Sequence, residues 1–327
     1  MRRPSSWLTA GPAPRLLGLG VLLLVGATWA AAQTRSQSRE GEFTLSVDVD
    51  LVVLHATVVD KDGRRVTELP AERFHIYEDN VLQKLALFRN EDVPITVGLV
   101  LDNSASMTDN RQEMKAGALT FAEASNPLDE TFVVNFNDDY YLDLGSKDFT
   151  NNTEELKEAL GKTTTRGSTS FYDALRASLA HLQKGTRQKK VLLVITDGVD
   201  NTSASSFDTA LREAQQAEAA VYVVALPCTD PKRDCRRARR EIRKLVQVTG
   251  GVAYFPTSLE QVQSLCKQIA HEIRSQYVLG YYPSNRARDG SFRSLRVEVL
   301  SAKGQPRYFV RTRSGYYAES QQPAGSQ

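Results

Sequence analysis

The chain has 327 residues, of which 41% are hydrophobic and 24% are charged. This length and apolar content suffice to bury a hydrophobic core and correspond to about two or three domains. The formal net charge of +2 is close to balance, which argues against a dedicated nucleic-acid binder.

The N-terminus has the organisation of a secretory signal peptide over residues 1–32. Three arginines accompany an apolar run at residues 16–27, and the small residues 30–32 offer a cleavage site. Cleavage would remove three positive charges and no acidic residue, which leaves a net charge of about −1. The alternative is an uncleaved N-terminal anchor, but the run is shorter than the ~20 residues of a membrane span. We therefore expect a secreted or periplasmic chain with no integral membrane span after cleavage.

Short β-like segments follow a polar linker that is predicted at residues 33–42. Over residues 43–92 apolar and polar residues alternate, turns interrupt the alternation, and no long helical pattern appears. These features predict a small β-sandwich-like domain over residues 43–92. Its predicted strands are residues 45–59, 66–69, 74–77 and 84–88.

The pattern changes at Pro94, where a continuous apolar run begins that is typical of a strand buried on both faces. Strands and helices then alternate, which predicts βαβ units and a mostly parallel sheet covered on both sides. We therefore expect a doubly wound α/β domain over residues 93–274, flanked by small β segments. Its predicted strands are residues 95–101, 131–136, 190–196, 220–226 and 252–255, and its helices are residues 111–124, 171–182, 208–217, 236–248 and 259–273.

A β pattern returns after Arg274. Turn signals at Asp289-Gly290 and Lys303-Gly304 separate three predicted strands. These strands form a C-terminal β segment over residues 275–318, and we expect the polar residues 319–327 to be disordered. The three strands are residues 276–282, 294–300 and 308–313.

The chain has only three cysteines. Cys228 and Cys235 flank a short polar loop, and in an oxidising compartment they can form a disulfide. The alternative is three unpaired thiols, and we favour the bridge. Cys266 occupies an apolar position of a predicted helix, which is typical of a buried small hydrophobic residue. The four histidines are scattered, which argues against a zinc site.

Side chains that carry oxygen follow two of the apolar strands. Asp102, Ser104 and Ser106 come directly after the first strand of the α/β domain, and Asp197 follows the third. Because ligands of open α/β sheets bind beyond the carboxyl ends of the strands, we expect these side chains at one sheet edge. Thr169 adds a hydroxyl just before a predicted helix. Such hard oxygen donors suit Mg²⁺, Ca²⁺ or Mn²⁺.

Each of these pieces also has a simpler explanation. A D-x-S-x-S string occurs by chance in turns and at helix caps. Thr-Asp-Gly at residues 196–198 is a common turn, and residues 168–170 can simply cap the following helix. The combination favours a metal site, because two buried strands each end in a carboxylate and a hydroxyl-bearing loop lies between them in sequence.

This combination resembles the metal-ion-dependent adhesion site of the von Willebrand factor A domain, also called the integrin I-type domain. In that family the site consists of a D-x-S-x-S motif, a later Thr and a later Asp. The resemblance implies a Rossmann-like α/β fold and one divalent cation, with Mg²⁺ favoured over Ca²⁺ or Mn²⁺. The implied metal ligands are Asp102, Ser104, Ser106, Thr169 and Asp197.

A wider resemblance connects the mature chain with secreted bacterial proteins described as VWFA-related. It rests on segments before the α/β domain, at residues 58–63 and 74–79, and after it, at residues 274–282 and 313–317. The resemblance implies that the N-terminal and C-terminal β strands pair with each other. Whether they form one domain is left open by the sequence.

The resemblance implies metal-dependent protein binding outside the cytoplasm, in which a partner presents an acidic side chain to the metal. One alternative is a structural role, in which the metal only stabilises the fold and the β segments bind the partner. A serine hydrolase is disfavoured because the sequence has no G-x-S-x-G motif and none of its histidines lies in a recognisable motif. A metal-dependent hydrolase is disfavoured because such enzymes more often use two metals or histidine ligands. The basic run at residues 232–244 is interpreted as a solvated helix face, with anion or membrane-surface binding as the alternative.

Overall fold

The computed structural model describes residues 51–228, 231–301 and 307–320. These residues form fourteen strands that belong to three sheets. The strands are β1 (Val52–Val59), β2 (Phe74–Glu78), β3 (Val81–Gln83), β4 (Leu85–Arg89), β5 (Ile95–Asp102), β6 (Glu130–Phe136), β7 (Tyr140–Leu142), β8 (Lys189–Thr196), β9 (Ala220–Ala225), β10 (Ala253–Tyr254), β11 (Tyr277–Tyr281), β12 (Phe292–Val299), β13 (Phe309–Arg311) and β14 (Gly315–Tyr317).

Six α-helices and two short 3₁₀ helices connect the strands of the described residues. The α-helices are α1 (Arg111–Glu123), α2 (Thr153–Lys162), α3 (Phe171–Leu182), α4 (Phe207–Gln216), α5 (Lys232–Thr249) and α6 (Gln261–Arg274). The 3₁₀ helices are Ala71–Arg73 and Ala105–Asn110. None of the described helices is long and apolar enough to cross a membrane.

The central sheet has the strand order β10-β9-β8-β5-β6-β7, and only β7 is antiparallel to its neighbour. All eight residues of β5 are buried, because this strand has a neighbour on each side and helices on both faces. The chain first continues from β5 to β6 and later returns to β8 on the other side of β5. This reversal of strand order creates a topological switch point beside β5, as the predicted doubly wound fold requires.

Two hydrophobic cores cover the central sheet. On one face, side chains of β5 such as Leu99 pack with α1, α2 and α6. On the other face, side chains such as Val100 pack with α3, α4 and α5. The alternation of neighbouring residues between the two cores follows from the two-residue period of a strand. The expectation of a mostly parallel α/β sheet covered on both sides is confirmed.

The remaining strands form two four-stranded antiparallel sheets, with the orders β13-β1-β11-β4 and β14-β12-β2-β3. Each sheet combines strands from before and after the α/β domain. For example, Leu54 of β1 pairs with Leu279 of β11, and Ile76 of β2 pairs with Val297 of β12. A third core of apolar side chains lies between these two sheets. The pairing of N-terminal and C-terminal strands that the wider resemblance implied is therefore present, while the predicted domain boundaries stay predictions.

Three features differ from the sequence-based expectations. The short strands β3, β7 and β14 were not predicted. Residues 66–69, predicted to be a strand, have an irregular conformation. The Tyr277 hydroxyl forms hydrogen bonds with the backbone of this segment. It donates to the Val66 carbonyl at 3.0 Å and accepts from the Leu69 amide at 2.9 Å. Helix α2 was missed, because only Leu156, Ala159 and Leu160 form its buried stripe.

The remaining element predictions agree with the structure apart from their boundaries. Helix α5 begins four residues before the predicted start at residue 236, ends at Thr249 and is capped by Gly250. This glycine has a φ of +79°, a left-handed conformation that glycine adopts readily. The predictions for residues 1–50, for the turn at 303–304 and for most of the C-terminal tail lie outside the described residues.

The predicted disulfide is present in the structure, between Cys228 and Cys235, whose Cα atoms are 5.8 Å apart. It connects the segment after β9 to the first turn of α5. Cys266 is a free and fully buried residue of α6, as the sequence predicted.

A buried charge cluster connects the two antiparallel sheets. Glu78 and Arg293 form an ion pair at 3.2 Å, with side chains 2% and 3% exposed. The hydroxyls of Tyr281 and Tyr316 donate to the same carboxylate at 2.5 and 2.8 Å. Arg293 also donates to the carbonyls of Asn285 and Ala287. The cluster therefore joins the end of β2 to β11, β12 and β14, which come more than 200 residues later in the chain.

Replacing Glu78 should destabilise the fold strongly. Glu78→Gln leaves the buried Arg293 charge without a counterion, so we expect a loss of about 3–5 kcal/mol in the free energy of unfolding. Urea unfolding of the variant and the wild type measures this difference. Glu298→Gln is the matched control, because Glu298 belongs to an ion pair with Arg296 whose side chains are about half exposed. Equal stabilities of the two variants would contradict the importance of the buried cluster.

Lys189 should make stability depend on pH. Burial and then the nearby Arg274 charge lower the pKa of Lys189 to about 7, whereas an unfolded lysine has a pKa of about 10.4. Between these values the unfolded state binds more protons, so stability rises with pH, by up to about 1.4 kcal/mol per unit. Lys189→Met should remove this rise between pH 7 and 9 in urea unfolding. The exposed Lys267 is the control, since Lys267→Met should keep the wild-type pH dependence.

Candidate functional site

The candidate site lies where β5 and β8 end. The two strands are parallel neighbours, and the register that pairs Leu101 with Ile195 places Asp102 beside Thr196. The Thr196 hydroxyl donates to Asp102 Oδ2 at 2.6 Å. Asp197 is the next residue of the chain, so two carboxylates that are 95 positions apart in sequence reach the same sheet edge.

A chain of hydrogen bonds joins four of the five predicted site residues. The Ser104 amide donates to Asp102 Oδ1 at 2.9 Å, which turns the chain back over the strand end. The Ser104 and Ser106 hydroxyl oxygens lie 3.1 Å apart. The Ser106 hydroxyl donates to Asp197 Oδ2 at 2.8 Å. Both serine hydroxyls therefore lie between the two carboxylates.

Thr169 lies in a neighbouring loop. The Ala105 amide donates to the Gly167 carbonyl at 3.1 Å, so this loop contacts the turn that carries the serines. The Thr169 amide donates to Asn201 Oδ1 at 2.8 Å, which fixes Thr169 against the segment after Asp197. The structure thus brings Thr169 into the same loop cluster as the other four predicted ligands.

Gly167 allows this loop to approach the sheet edge. Its φ is +69°, and a Cβ atom at this position would lie 1.9 Å from the carboxylate oxygen Oδ2 of Asp138. The same carboxylate accepts a hydrogen bond from the Ser168 amide at 2.7 Å. Only a glycine fits this close approach without displacing Asp138.

Both carboxylates of the candidate site are buried, and burial disfavours the charged form of Asp102. Asp102 is fully buried and Asp197 is 5% exposed. Burial, and then the negative charge of Asp197, raise the pKa of Asp102 to about 7, although hydrogen bonds from Ser104 and Thr196 oppose the shift. A divalent cation would neutralise both carboxylates, so this donor set fits such an ion.

The ligand chemistry also distinguishes between metals. No cluster of three or more His, Cys, Asp or Glu side chains suited to a metal occurs within residues 51–228, 231–301 and 307–320. A cation at this edge therefore depends on serine and threonine hydroxyls besides the two carboxylates. Hydroxyl and carboxylate oxygens are hard donors, which favours Mg²⁺, Ca²⁺ or Mn²⁺ over zinc.

Sequence reasoning missed two residues that support the site. Thr196 donates to Asp102, and its own oxygen accepts from the Gly198 amide at 2.9 Å. Asn103 is buried and donates to Asn135 Oδ1 at 2.9 Å, which connects the ends of β5 and β6. One sequence signal could have identified both residues, because each is polar and directly adjacent to a predicted ligand.

A polar cavity of about 470 Å³ adjoins the site. The Asp200 carboxylate in its wall accepts from the Tyr172 amide at 3.0 Å and from the Ser203 hydroxyl at 2.5 Å. Arg237 of α5 donates to the Asp200 carbonyl at 3.1 Å. The cavity therefore connects the segment after Asp197 to the first turns of α5. Its lining residues are Tyr172, Val199, Asp200, Asn201, Ser203, Asp234 and Arg237.

Comparisons with known proteins agree with the α/β fold. The sequence model of the von Willebrand factor type A domain matches residues 97–199, which include all five predicted ligands. No curated protein matches the chain. The solved structure of a von Willebrand factor type A protein from Catenulispora acidiphila has a TM-score of 0.50 and 10% sequence identity, and the match covers 76% of this chain and 73% of that one.

Two further solved structures have lower TM-scores. The pilus adhesin SpaC from Lactobacillus rhamnosus GG has a TM-score of 0.48 and 12% identity, covering 82% of this chain and 47% of that one. BatB from Bacteroides thetaiotaomicron has a TM-score of 0.44 and 15% identity, covering 55% of this chain and 98% of that one. At such identities the likeness concerns the fold alone.

Divalent ions should stabilise the chain through Asp102. We expect calorimetric titration of Mg²⁺, Ca²⁺ and Mn²⁺ into residues 33–327 to show one bound ion, and an ion at 100 times its Kd to add about 2.7 kcal/mol of stability. Asp102→Ala should abolish both effects because it removes one of two charged ligands. Asp109→Ala is the control, since Asp109 is an exposed carboxylate only seven residues along the chain. Ion binding by Asp102→Ala with unchanged affinity would disprove the assignment.

Proposed function

Because the chain carries a von Willebrand factor type A domain, we propose that it binds a protein partner through a divalent cation at the ends of β5 and β8. The observation that carries this proposal is the hydrogen-bonded series from Asp102 through Ser104 and Ser106 to Asp197. It assembles two buried carboxylates and two hydroxyls at a topological switch point, where open α/β sheets bind ligands.

The proposed ligands have two roles. Asp102 and Asp197 neutralise the charge of the ion, with Mg²⁺ favoured and Ca²⁺ or Mn²⁺ as alternatives. Ser104, Ser106 and Thr169 supply neutral oxygens, which leave the net charge of the ion and its two carboxylates near zero. The ion, when bound, would supply positive charge that attracts a carboxylate of the partner. An acidic side chain of the partner therefore completes the site and fixes the docking orientation.

We place this function outside the cytoplasm. The Cys228–Cys235 disulfide supports this location, because such bonds persist in oxidising compartments. The proposed signal peptide at residues 1–32 would deliver the chain there, with residues 33–42 as a linker. In this proposal the α/β domain at residues 93–274 carries the site, and the two β segments support it.

Binding explains the site better than catalysis does. A hydrolase needs a nucleophile with a base, or a metal that activates water beside a proton-transfer group. His55, His75, His181 and His271 belong to none of the contacts that build this site, and the serine hydroxyls point to carboxylates rather than to a histidine base. We therefore propose a binding protein rather than an enzyme.

Partner capture should require both the ion and Asp102. In pull-downs from the extracytoplasmic fraction with Mg²⁺, we expect the wild type and Asp109→Ala to retain a protein that EDTA releases and that Asp102→Ala fails to retain. The affinity of the purified pair is then measured with and without EDTA. If EDTA lowers the melting temperature and leaves the affinity unchanged, the metal is structural and the β segments bind the partner.

A further inference from the structure

Helix α5 presents a strongly positive surface to solvent. Seven exposed lysines and arginines lie within its first 13 residues, although the whole chain has a net charge of only +2. Helical geometry places them within an arc of about 140° and over a length of about 18 Å. We call this surface the cationic face, and it consists of Lys232, Arg233, Arg236, Arg239, Arg240, Arg243 and Lys244.

The two acidic residues of this helix segment do not neutralise the cationic face. Glu241 accepts a hydrogen bond from the Tyr172 hydroxyl at 2.8 Å. Asp234 lies 3.8 Å from Arg237, and both line the cavity beside the candidate site. Both carboxylates are therefore on the cavity side of the helix. Among the described residues, the only ion pair of the cationic face joins Lys244 to Asp208 at 3.7 Å, and its side chains are 55% and 79% exposed.

This arrangement is unfavourable for an isolated helix. Arg236 has cationic neighbours three or four residues away at 232, 233, 239 and 240, and like charges at these spacings repel. Two of the cations also lie in the first turn, where the helix dipole disfavours positive charge. If this surface were only in contact with solvent, glutamates between the lysines and arginines would relieve the repulsion and keep the surface soluble. The uncompensated repulsion between these cations instead fits a surface that is neutralised by a ligand.

The cationic face has a preformed part. The guanidinium carbons of Arg239 and Arg243 lie 4.5 and 5.2 Å from the centroid of the Phe255 ring. Stacking on an aromatic ring holds a guanidinium in place while its N–H groups stay available for carboxylates. The helix also starts next to the cavity that adjoins Asp197, since Asp234 and Arg237 line that cavity. Lys232 and Arg233 of the cationic face belong to the same first turn as Asp234.

We propose that the cationic face of α5 binds an extended acidic segment of the same partner that gives a carboxylate to the metal. This inference rests on the proposed function and specifies the class of its partner. A length of about 18 Å corresponds to about five residues of extended chain. The partner segment therefore carries several aspartates or glutamates, of which one reaches the sheet edge and the others pair with the arginines of α5.

An acidic protein segment fits better than an anionic membrane. Helices that lie on membranes combine a basic face with exposed large apolar side chains. The exposed large hydrophobic side chains among the described residues all lie on other elements, such as Leu82 of β3 and Phe309 of β13. In addition, the carboxylates of one acidic segment can bind both the metal ion and the arginines of α5.

The probe for this proposal is a fluorescent peptide of ten glutamates, titrated into the purified chain in EDTA at 50 and 200 mM salt. The test variant is Arg236→Glu/Arg240→Glu, and the matched control is Lys84→Glu/Lys267→Glu, which changes net charge equally at exposed lysines outside α5. We expect the test variant to bind about tenfold or more weakly, and the control to bind as the wild type does. Binding should weaken with salt. Thermal unfolding checks that both variants fold.

Equal binding by the test variant and the wild type would overturn the proposal, as would no binding by the wild type at 50 mM salt. Phosphatidylglycerol vesicles serve as a second probe. If they bind through Arg236 and Arg240 while the peptide does not, the ligand is an anionic surface and the proposal is wrong.

Adding Mg²⁺ separates this proposal from the proposed function. We expect Mg²⁺ to strengthen peptide binding by the wild type, and Asp102→Ala to lose only this increase. If Mg²⁺ changes nothing while the test variant still binds weakly, the metal-dependent function fails and the cationic face alone is supported. If Mg²⁺ binds normally and the peptide never does, only the proposal for α5 fails.

Discussion

The parallel pairing of β5 with β8 is the constraint on which the candidate site depends. Each strand is buried on both faces, so its polar groups can be placed only where the strand ends. The register brings Asp102 beside Thr196, and Asp197 follows directly. Because the chain leaves β5 toward β6 and returns to β8, the loops diverge above this point and leave room for a ligand. The sheet topology thus determines where the candidate site lies, and the residues at the strand ends provide its carboxylate and hydroxyl oxygens.

The pairing of β5 with β8 also brings two buried carboxylates together, which favours the binding of a cation at this sheet edge. Burial and the charge of Asp197 raise the pKa of Asp102 to about 7. Two buried carboxylates become favourable ligands when a divalent cation is present. In the proposed function, a carboxylate of the partner would be attracted by this ion, and the cationic face of α5 would attract further acidic residues of the partner. Metal ligands and helix charges would then act on one acidic segment.

The two antiparallel sheets hold the ends of the α/β domain together. Strand β1 precedes the domain and β11 follows it, yet the two pair directly. Glu78, Arg293 and the hydroxyls of Tyr281 and Tyr316 share one buried cluster, so both segments must be in place before its charges are compensated. Glu272 of α6 connects this sandwich to the central sheet, since it accepts from Arg311 at 3.0 Å and from Tyr254 at 3.1 Å. The site therefore rests on a domain that is anchored at both ends.

The sequence by itself determined the alternation of strands and helices, the buried character of β5 and β8, and the identities of the five oxygen-bearing residues. These features are local, because a run of apolar residues or a D-x-S-x-S string can be read without knowing its neighbours. Only the tertiary structure decided which hydrogen bonds form between side chains and segments that are far apart in the sequence. The hydroxyl of Tyr277 forms a hydrogen bond with the segment 66–69, which is not a regular strand. The Thr196 hydroxyl donates to Asp102, and the Glu241 carboxylate accepts from Tyr172 on the side of α5 away from the cationic face. Each of these side chains contacts a residue more than 60 positions away in the sequence. Local sequence patterns do not predict which distant residues come into contact.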